Sequence, residues 1–321
     1  MDFRNGWMIR AIVGLGLAFS LSCNQGPPWE TYVEAGKKAY REGNMDEAEK
    51  QLSQAVRKAE QFGPEDLRLA TSLNNLGEVH RSQGKLIEAE PMFKRALAIR
   101  EKRQGNDQEL QDLSFVLNNL AAVYSTQKRY AEAISMYQRA FEIMEKSRGP
   151  EHPNVALALN NLASVYRAQG NFPEAESRFK RATQIWEQAL GPNHQYVAAS
   201  LTNLGELYLA QGRADLATPA FQRSLAIMEK ASGPEHISIA AALTNLAAAQ
   251  YGTGSMAASE QSLRRAISIR EKHLPPSHPE LVANLRDYAG LLRKMNRVAE
   301  ATAIETRVKG IELKRAQDKV S

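Results

Sequence analysis

One spacing constrains this chain more than any other. Gly63, Gly105, Gly149, Gly191 and Gly233 are followed at the same offset by Pro275, at intervals of 42, 44, 42, 42 and 42 residues. Such a ladder marks a tandem repeat, in which each unit is one supersecondary element that buries its apolar face only against its neighbours. The 321 residues are therefore not read as two globular domains, as length alone would suggest.

A second set of landmarks recurs inside each unit. Asn75-Leu76, Asn119-Leu120, Asn161-Leu162, Asn203-Leu204 and Asn245-Leu246 are echoed by Asp287-Tyr288 in a sixth copy. Nine residues beyond each of these stand Gly84, Gly170, Gly212 and Gly254, with Lys128 and Asn296 at the remaining two positions. Glycine or asparagine there suits the left-handed conformation that ends a helix, which places a turn between two helices. Either side of it the apolar spacing is helical: Leu159, Leu162, Ala163 and Tyr166 precede the turn, and Ala175, Phe179, Ala182 and Ile185 follow it. Leu73, Leu76, Gly77 and His80 take the first set of places in the first long unit. Leu117, Leu120, Ala121 and Tyr124, then Ala133, Tyr137 and Ala140, take them in the second. Each unit reads as two amphipathic helices of about 17 residues, a helix A and a helix B. An earlier unit, with Tyr32, Gly36, Gly43, Ala48, Leu52 and Ala55, follows the pattern more loosely and brings the hairpins to seven.

Large apolar, Leu, small and Tyr on helix A, with Ala, aromatic and Ala on helix B, resemble the tetratricopeptide pattern. The phrasing Gly149-Pro150-Glu151-His152-Pro153, Leu159-Asn160-Asn161-Leu162-Ala163, Tyr166, Gly170 and Ala175-Glu176 is similar to the repeat of kinesin light chains and their bacterial relatives. That resemblance implies an all-α, right-handed superhelical solenoid of about seven antiparallel helix pairs. Residues 29–62 form its first, looser hairpin, 63–314 six repeats of the 42-residue type, and 315–321 a charged tail. Glu305 at the helix B aromatic position, Val308 at the small one and Lys309 at another apolar one make the last hairpin the most polar. An array end must be polar to stay soluble.

The N-terminus reads as an address. Ala11 to Ser22 is an uncharged, mostly apolar run between Arg10 and Cys23, the only cysteine. Twelve helical residues span about 18 Å, short of a hydrocarbon core of roughly 30 Å, so a signal-peptide core fits better than a membrane span. Met8 offers an alternative start to Met1. Ser20-Leu21-Ser22-Cys23 resembles a bacterial lipoprotein box, with Ser20 where that family usually has Leu. The resemblance implies a leader over 1–22, lipidation of Cys23, a tether over 23–28 and retention at the cell envelope. Asn24 is not the Asp that commonly holds such proteins at the inner membrane, so the expectation is a periplasm-facing outer-membrane lipoprotein. An ordinary secretory signal, with Cys23 an incidental thiol, is the alternative. A lone cysteine excludes an intrachain disulfide.

The formal charge of +5 is spread over interleaved basic and acidic residues, without the basic stripe that nucleic acid requires. His152, His194, His236 and His278 recur once per unit just before helix A. Zinc needs its ligands about 2 Å from one ion, whereas stacked helix pairs lie roughly 10 Å apart, so these read as helix-start contacts and no metal is expected. Glu174 and Glu176 flank Ala175 and read as solvent-facing charge. With no phosphate-binding loop and no nucleophile motif, neither a cofactor nor an enzymatic activity is expected.

What remains is the inner face of the array. In the tetratricopeptide pattern the residues six before, two before, one after and two after the Tyr point inward, and the resemblance assigns a peptide groove on that basis. Its residues are Lys37 and Arg41 in the first hairpin, then Asn74, Glu78, Arg81, Asn118, Asn160, Arg167, Thr202, Glu206, Thr244, Tyr251, Arg286 and Arg293. An Asn amide both donates to and accepts from a peptide backbone, and a guanidinium offers a planar fork to a carboxylate. The uniform row Asn75, Asn119, Asn161, Asn203 and Asn245 lies about 100° away around the helix and reads as structural, holding each repeat to the one before. The expected function is a non-catalytic scaffold that binds a protein or peptide segment in the concave groove at the envelope. The alternative is a structural or assembly factor of the envelope acting through its convex face or array ends.

Overall fold

The computed structural model describes residues 27–103 and 105–317, and every regular element among them is an α-helix. The expected leader, Cys23, most of the tether and the last four residues lie outside the described residues. Two compact units divide at Arg103 and Gln104. The first holds the hairpins α1 (Trp29–Arg41) with α2 (Met45–Glu60) and α3 (Leu67–Ser82) with α4 (Leu86–Glu101). The second holds α5 (Asp107–Thr126) with α6 (Tyr130–Arg148), α7 (Pro153–Gln169) with α8 (Phe172–Leu190), and α9 (Gln195–Ala210) with α10 (Ala214–Ser232). It continues with α11 (Ile237–Gly252) and α12 (Met256–His273), then α13 (Pro279–Lys294) and α14 (Val298–Gln317). Odd-numbered helices are helix A of each pair. The division falls where Gly105-Asn106-Asp107 stands in place of the Gly-Pro-Glu-His phrase and where the one 44-residue interval begins.

The local rules of the sequence account for both kinds of turn. Inside each hairpin a residue one or two places past helix A sits in the left-handed region: Gly170 has φ 85°, and even Lys128 and Asn296 are held at φ 61°. The next N–H then reaches back to the carbonyl of the Tyr position, as from Asn171 to Tyr166 at 2.9 Å and from Arg213 to Tyr208 at 2.8 Å. This closes the helix end with a Schellman-type bond. Between hairpins Gly191 adopts φ 90° and ψ 155°, a conformation essentially restricted to glycine. Gly149 and Gly233 of the ladder share that conformation, each with φ 85° and with ψ 159° and 154°.

Each junction histidine caps the helix that follows. The Nδ1 atoms of His152, His194, His236 and His278 accept the backbone N–H two residues on, at 3.1 to 3.3 Å. Pro153 and Pro279 occupy the first helical turn, where a missing N–H costs nothing. The histidines are thus helix starts, one per repeat.

Packing explains the small residues. A Cβ at Gly205 would lie 2.6 Å from the ring of Phe221, and one at Gly77 would lie 2.9 Å from that of Phe93. The helix B ring fills the space that the missing side chain opens on helix A, and Phe93, Phe179 and Phe221 are buried. Glu176 departs from the expectation of solvent-facing charge. It is half-buried, accepts from the Tyr208 hydroxyl at 3.1 Å and pairs with Arg213 at 3.1 Å and Lys180 at 2.7 Å. These contacts, led by the hydrogen bond from Lys180, hold its carboxyl below the ordinary range. The reason is that the next repeat packs over this turn of helix B, a contact no local pattern encodes. On the B helices Glu145–Arg181, Glu187–Arg223 and Glu271–Arg307 recur as ion pairs of 2.6 to 2.7 Å from one hairpin to the next.

Candidate functional site: the helix A faces

The groove residues fall into two groups in the structure. In the first unit Lys37 is exposed and pairs with Glu34 of its own helix at 3.2 Å, and Arg41 is exposed. Glu78 accepts from the Tyr40 hydroxyl at 3.2 Å and from Arg81 at 2.6 and 2.9 Å, so α1 and α3 share one polar cluster. Asn74 is half-buried beside it.

In the second unit the amides come first. Asn118 on α5 donates to the Ser114 carbonyl at 2.9 Å, and its Oδ1 is buried with no hydrogen-bond partner among the described residues. Asn160 on α7 accepts from the side chain of Asn203 on α9 at 3.0 Å. A member of the uniform row thus ties its repeat to the preceding one, through an atom of the groove row. Arg167 on α7 is ion-paired with Glu206 on α9, which brings two predicted groove residues together. Thr202 bonds to Ser224 of helix B at 2.8 Å.

Further along, half-buried Thr244 is the centre of a polar network. It accepts from Arg270 at 3.0 Å and from Asn284 at 3.1 Å, and donates to the Ala240 carbonyl at 2.8 Å. Arg286 and Arg293 are both engaged by α14: Arg286 pairs with Glu312, and Arg293 forks onto the two oxygens of Glu305 at 2.7 Å each. Glu305 stands where four other hairpins carry a buried ring, and its carboxylate takes the Arg293 guanidinium instead. Tyr251, Thr244 and Arg286 line a hollow of about 460 Å³ between α11 and α13, opened by Ala248 and Gly290.

Two residues of this face escape the four-position rule. Phe115 and Leu157 are 40% and 37% exposed, and each precedes a groove Asn by three positions on α5 and α7. Seven residues later on the same helices come Ala122 and Ser164, the positions two before the Tyr, and a seven-residue step returns to almost the same direction. The signal was present as an apolar residue seven before an inward position. It was missed because the rule describes a shorter helix A than the 42-residue unit carries.

Among the described residues no three His, Cys, Asp or Glu side chains group as metal ligands, and no helix is long and apolar enough to cross a membrane. The side chains presented by the helix A faces are amides, fixed ion pairs and exposed apolar groups. Paired helices that repeat in this way define the chain as an all-α helical-repeat protein.

The sequence model of the tetratricopeptide repeat family matches residues 31–102, 112–188, 155–230 and 196–272, more than half of the chain. The chain belongs to that family. No sequence among curated proteins matches it. Of solved structures, BtubC (BKLC) from P. vanneervenii is 23% identical with a TM-score of 0.58, over 76% of this chain and 90% of that one. A Podosopora anserina protein with nearly identical repeats, assigned as a kinesin light chain, is 24% identical with a TM-score of 0.60, over 67% and 100%. A Rap protein complexed with Competence and Sporulation Factor is 19% identical with a TM-score of 0.58, over 90% and 76%. These likenesses are of fold, and the first two are to kinesin-light-chain-like repeats.

Proposed function

We propose that this protein is a non-catalytic scaffold that holds an extended segment of another protein in the concave groove along its helix A faces. The observation that carries the reading is the pairing of Phe115 with Asn118 on α5 and of Leu157 with Asn160 on α7. Each rung there presents an exposed apolar group beside a half-buried amide. An amide serves any peptide backbone, and an apolar side chain left in water is stabilised when a partner covers it. The fold supports the reading as well, since stacked repeats offer extended binding surfaces and a Rap protein of similar fold is complexed with Competence and Sporulation Factor.

The test is capture from the native envelope with the full chain as bait, repeated with Asn118→Ala, Asn160→Ala and Arg167→Ala combined. Loss of the captured species with helical content unchanged and the variant still folded at the temperature of capture supports the groove. Undiminished capture overturns it and favours the convex face.

Envelope anchoring is the second part of the proposal. It rests on the apolar run before Cys23 and the lipoprotein-like box. Cys23→Ala is expected to move the protein from the membrane to the soluble fraction, and unchanged fractionation overturns lipidation as the anchor.

A further inference from the structure

The hollow between α11 and α13 lies where the sixth hairpin carries no ring. Phe93, Tyr137, Phe179 and Phe221 occupy the same helix B position in four other hairpins and are all buried. In the sixth hairpin that position is Leu263, which forms the floor of the hollow with Ser259 in place of the usual Ala. The position two before the Tyr shrinks to Ala248 on α11 and Gly290 on α13, and a Cβ added at Gly290 would meet nothing. The vacancy therefore opens onto the groove face. Tyr251, 41% exposed, stands at its mouth.

Its polar groups are specific. Asp287 lines the hollow at the position where the five preceding units carry Asn75, Asn119, Asn161, Asn203 and Asn245. Burial pushes its carboxyl above the ordinary range, against the opposing effects of a hydrogen bond from Asn284 and the charge of Arg270. A carboxylate accepts only, and Asp287, which is exposed, can take a donor from a group that enters the hollow. At the rim Lys294 makes no ion pair among the described residues, whereas neighbouring Arg286 is held by Glu312. A free cation at the edge of an apolar hollow favours the negative face of an aromatic ring over an aliphatic chain.

We propose that this hollow takes one aromatic side chain carrying a hydrogen-bond donor, tyrosine or tryptophan, from the segment held in the groove. The ring supplies what Leu263 lacks, its face lies under Lys294 and its O–H or N–H donates to Asp287. The proposal deepens the groove reading by giving the segment one obligatory residue, and it rests on that reading for the segment itself.

Side-chain analogues test the hollow apart from the groove. The full chain is titrated with p-cresol, 3-methylindole and toluene while the amide resonances of Ala248, Gly290, Leu291 and Lys294 are followed. The expected result is saturable shifts confined to these residues, with the two donor-bearing rings about tenfold tighter than toluene. Leu263→Phe restores the ring found in other hairpins and is expected to abolish the shifts while melting stays unchanged or rises. Asp287→Ala is expected to bring toluene and p-cresol to equal affinity with the fold intact. Absence of saturation up to the solubility limit, or full binding in Leu263→Phe, overturns the proposal. Equal preference for toluene in the unaltered chain overturns the assignment of a donor. Because the probes are single side chains, a negative result here leaves the capture experiment with Asn118, Asn160 and Arg167 standing, and the reverse also holds.

Discussion

The side-chain amide of Asn203 on α9 donates to the side-chain oxygen of Asn160 on α7, 3.0 Å away. The bond takes one of the two lone pairs of the Asn160 oxygen and leaves its NH₂ to donate to a peptide carbonyl. A double-mutant cycle of Asn160→Ala and Asn203→Ala is expected to show a coupling of about 0.5–1.5 kcal/mol in chemical denaturation, the net worth of one such bond. Additive effects would mean that the two amides act independently and that the row of asparagines does not tie repeats together.

How far the chain could be read in advance depends on whether a feature is local. The turn positions, the capping histidines and the small residues opposite rings all follow from contacts within one hairpin or one junction, and each has its own signature in the 42-residue unit. The partner of Arg167 does not. Arg167 meets Glu206 through the stacking of one hairpin on the next, and nothing in either local pattern states that register. The same holds for Glu176, which reads as surface charge until Tyr208 and Arg213 of the next repeat are placed over it. The hollow at Leu263 is an intermediate case. Leucine in an aromatic column was visible in the sequence, but the space it leaves depends on Ala248 and Gly290 lying across from each other.

His152 gives a direct test of the capping role. Its Nδ1 accepts the Asn154 N–H at 3.1 Å at the start of α7. His152→Ala is expected to cost about 1 kcal/mol and His152→Asp to cost little, because Asp is among the strongest N-caps. Zinc added to the unaltered chain is expected to leave the melting temperature unchanged. A zinc-dependent rise that His152→Ala removes would restore the metal reading.

Asp66 links the stability of the first unit to pH. It caps α3 by accepting the Arg68 N–H at 2.8 Å, and its two oxygens also take the Arg68 guanidinium at 2.9 and 2.8 Å. These contacts, the guanidinium first, lower its carboxyl from 3.8 to about 2. A folded-state value below the unfolded one means that the contribution is complete above the unfolded value. It is lost as the pH falls from about 4 through 2. Asp66→Asn keeps a capping oxygen but loses the ion pair. The stability difference between the two proteins, followed by exchange of the α3 amides, is expected to be constant at neutral pH and to shrink across that window. A difference that does not change with pH would show that the guanidinium pairing adds nothing beyond the cap.

Lys128 bears on why the turns are mostly glycine. It closes α5 at φ 61°, where Gly84, Gly170, Gly212 and Gly254 serve the equivalent turns. A residue with a Cβ in the left-handed region carries a cost of roughly 1–2 kcal/mol, and glycine avoids that while losing more backbone entropy on folding. The first effect is the larger, so Lys128→Gly is expected to raise stability by about 1 kcal/mol, read as a higher denaturation midpoint at unchanged slope. Asn296→Gly should gain less, because asparagine tolerates this conformation through its own short polar side chain. Lys128→Ala keeps the Cβ and should gain nothing. If alanine and glycine raise the midpoint equally, the strain lies in the lysine side chain and not in the backbone, and the glycine ladder would need a different explanation at this turn.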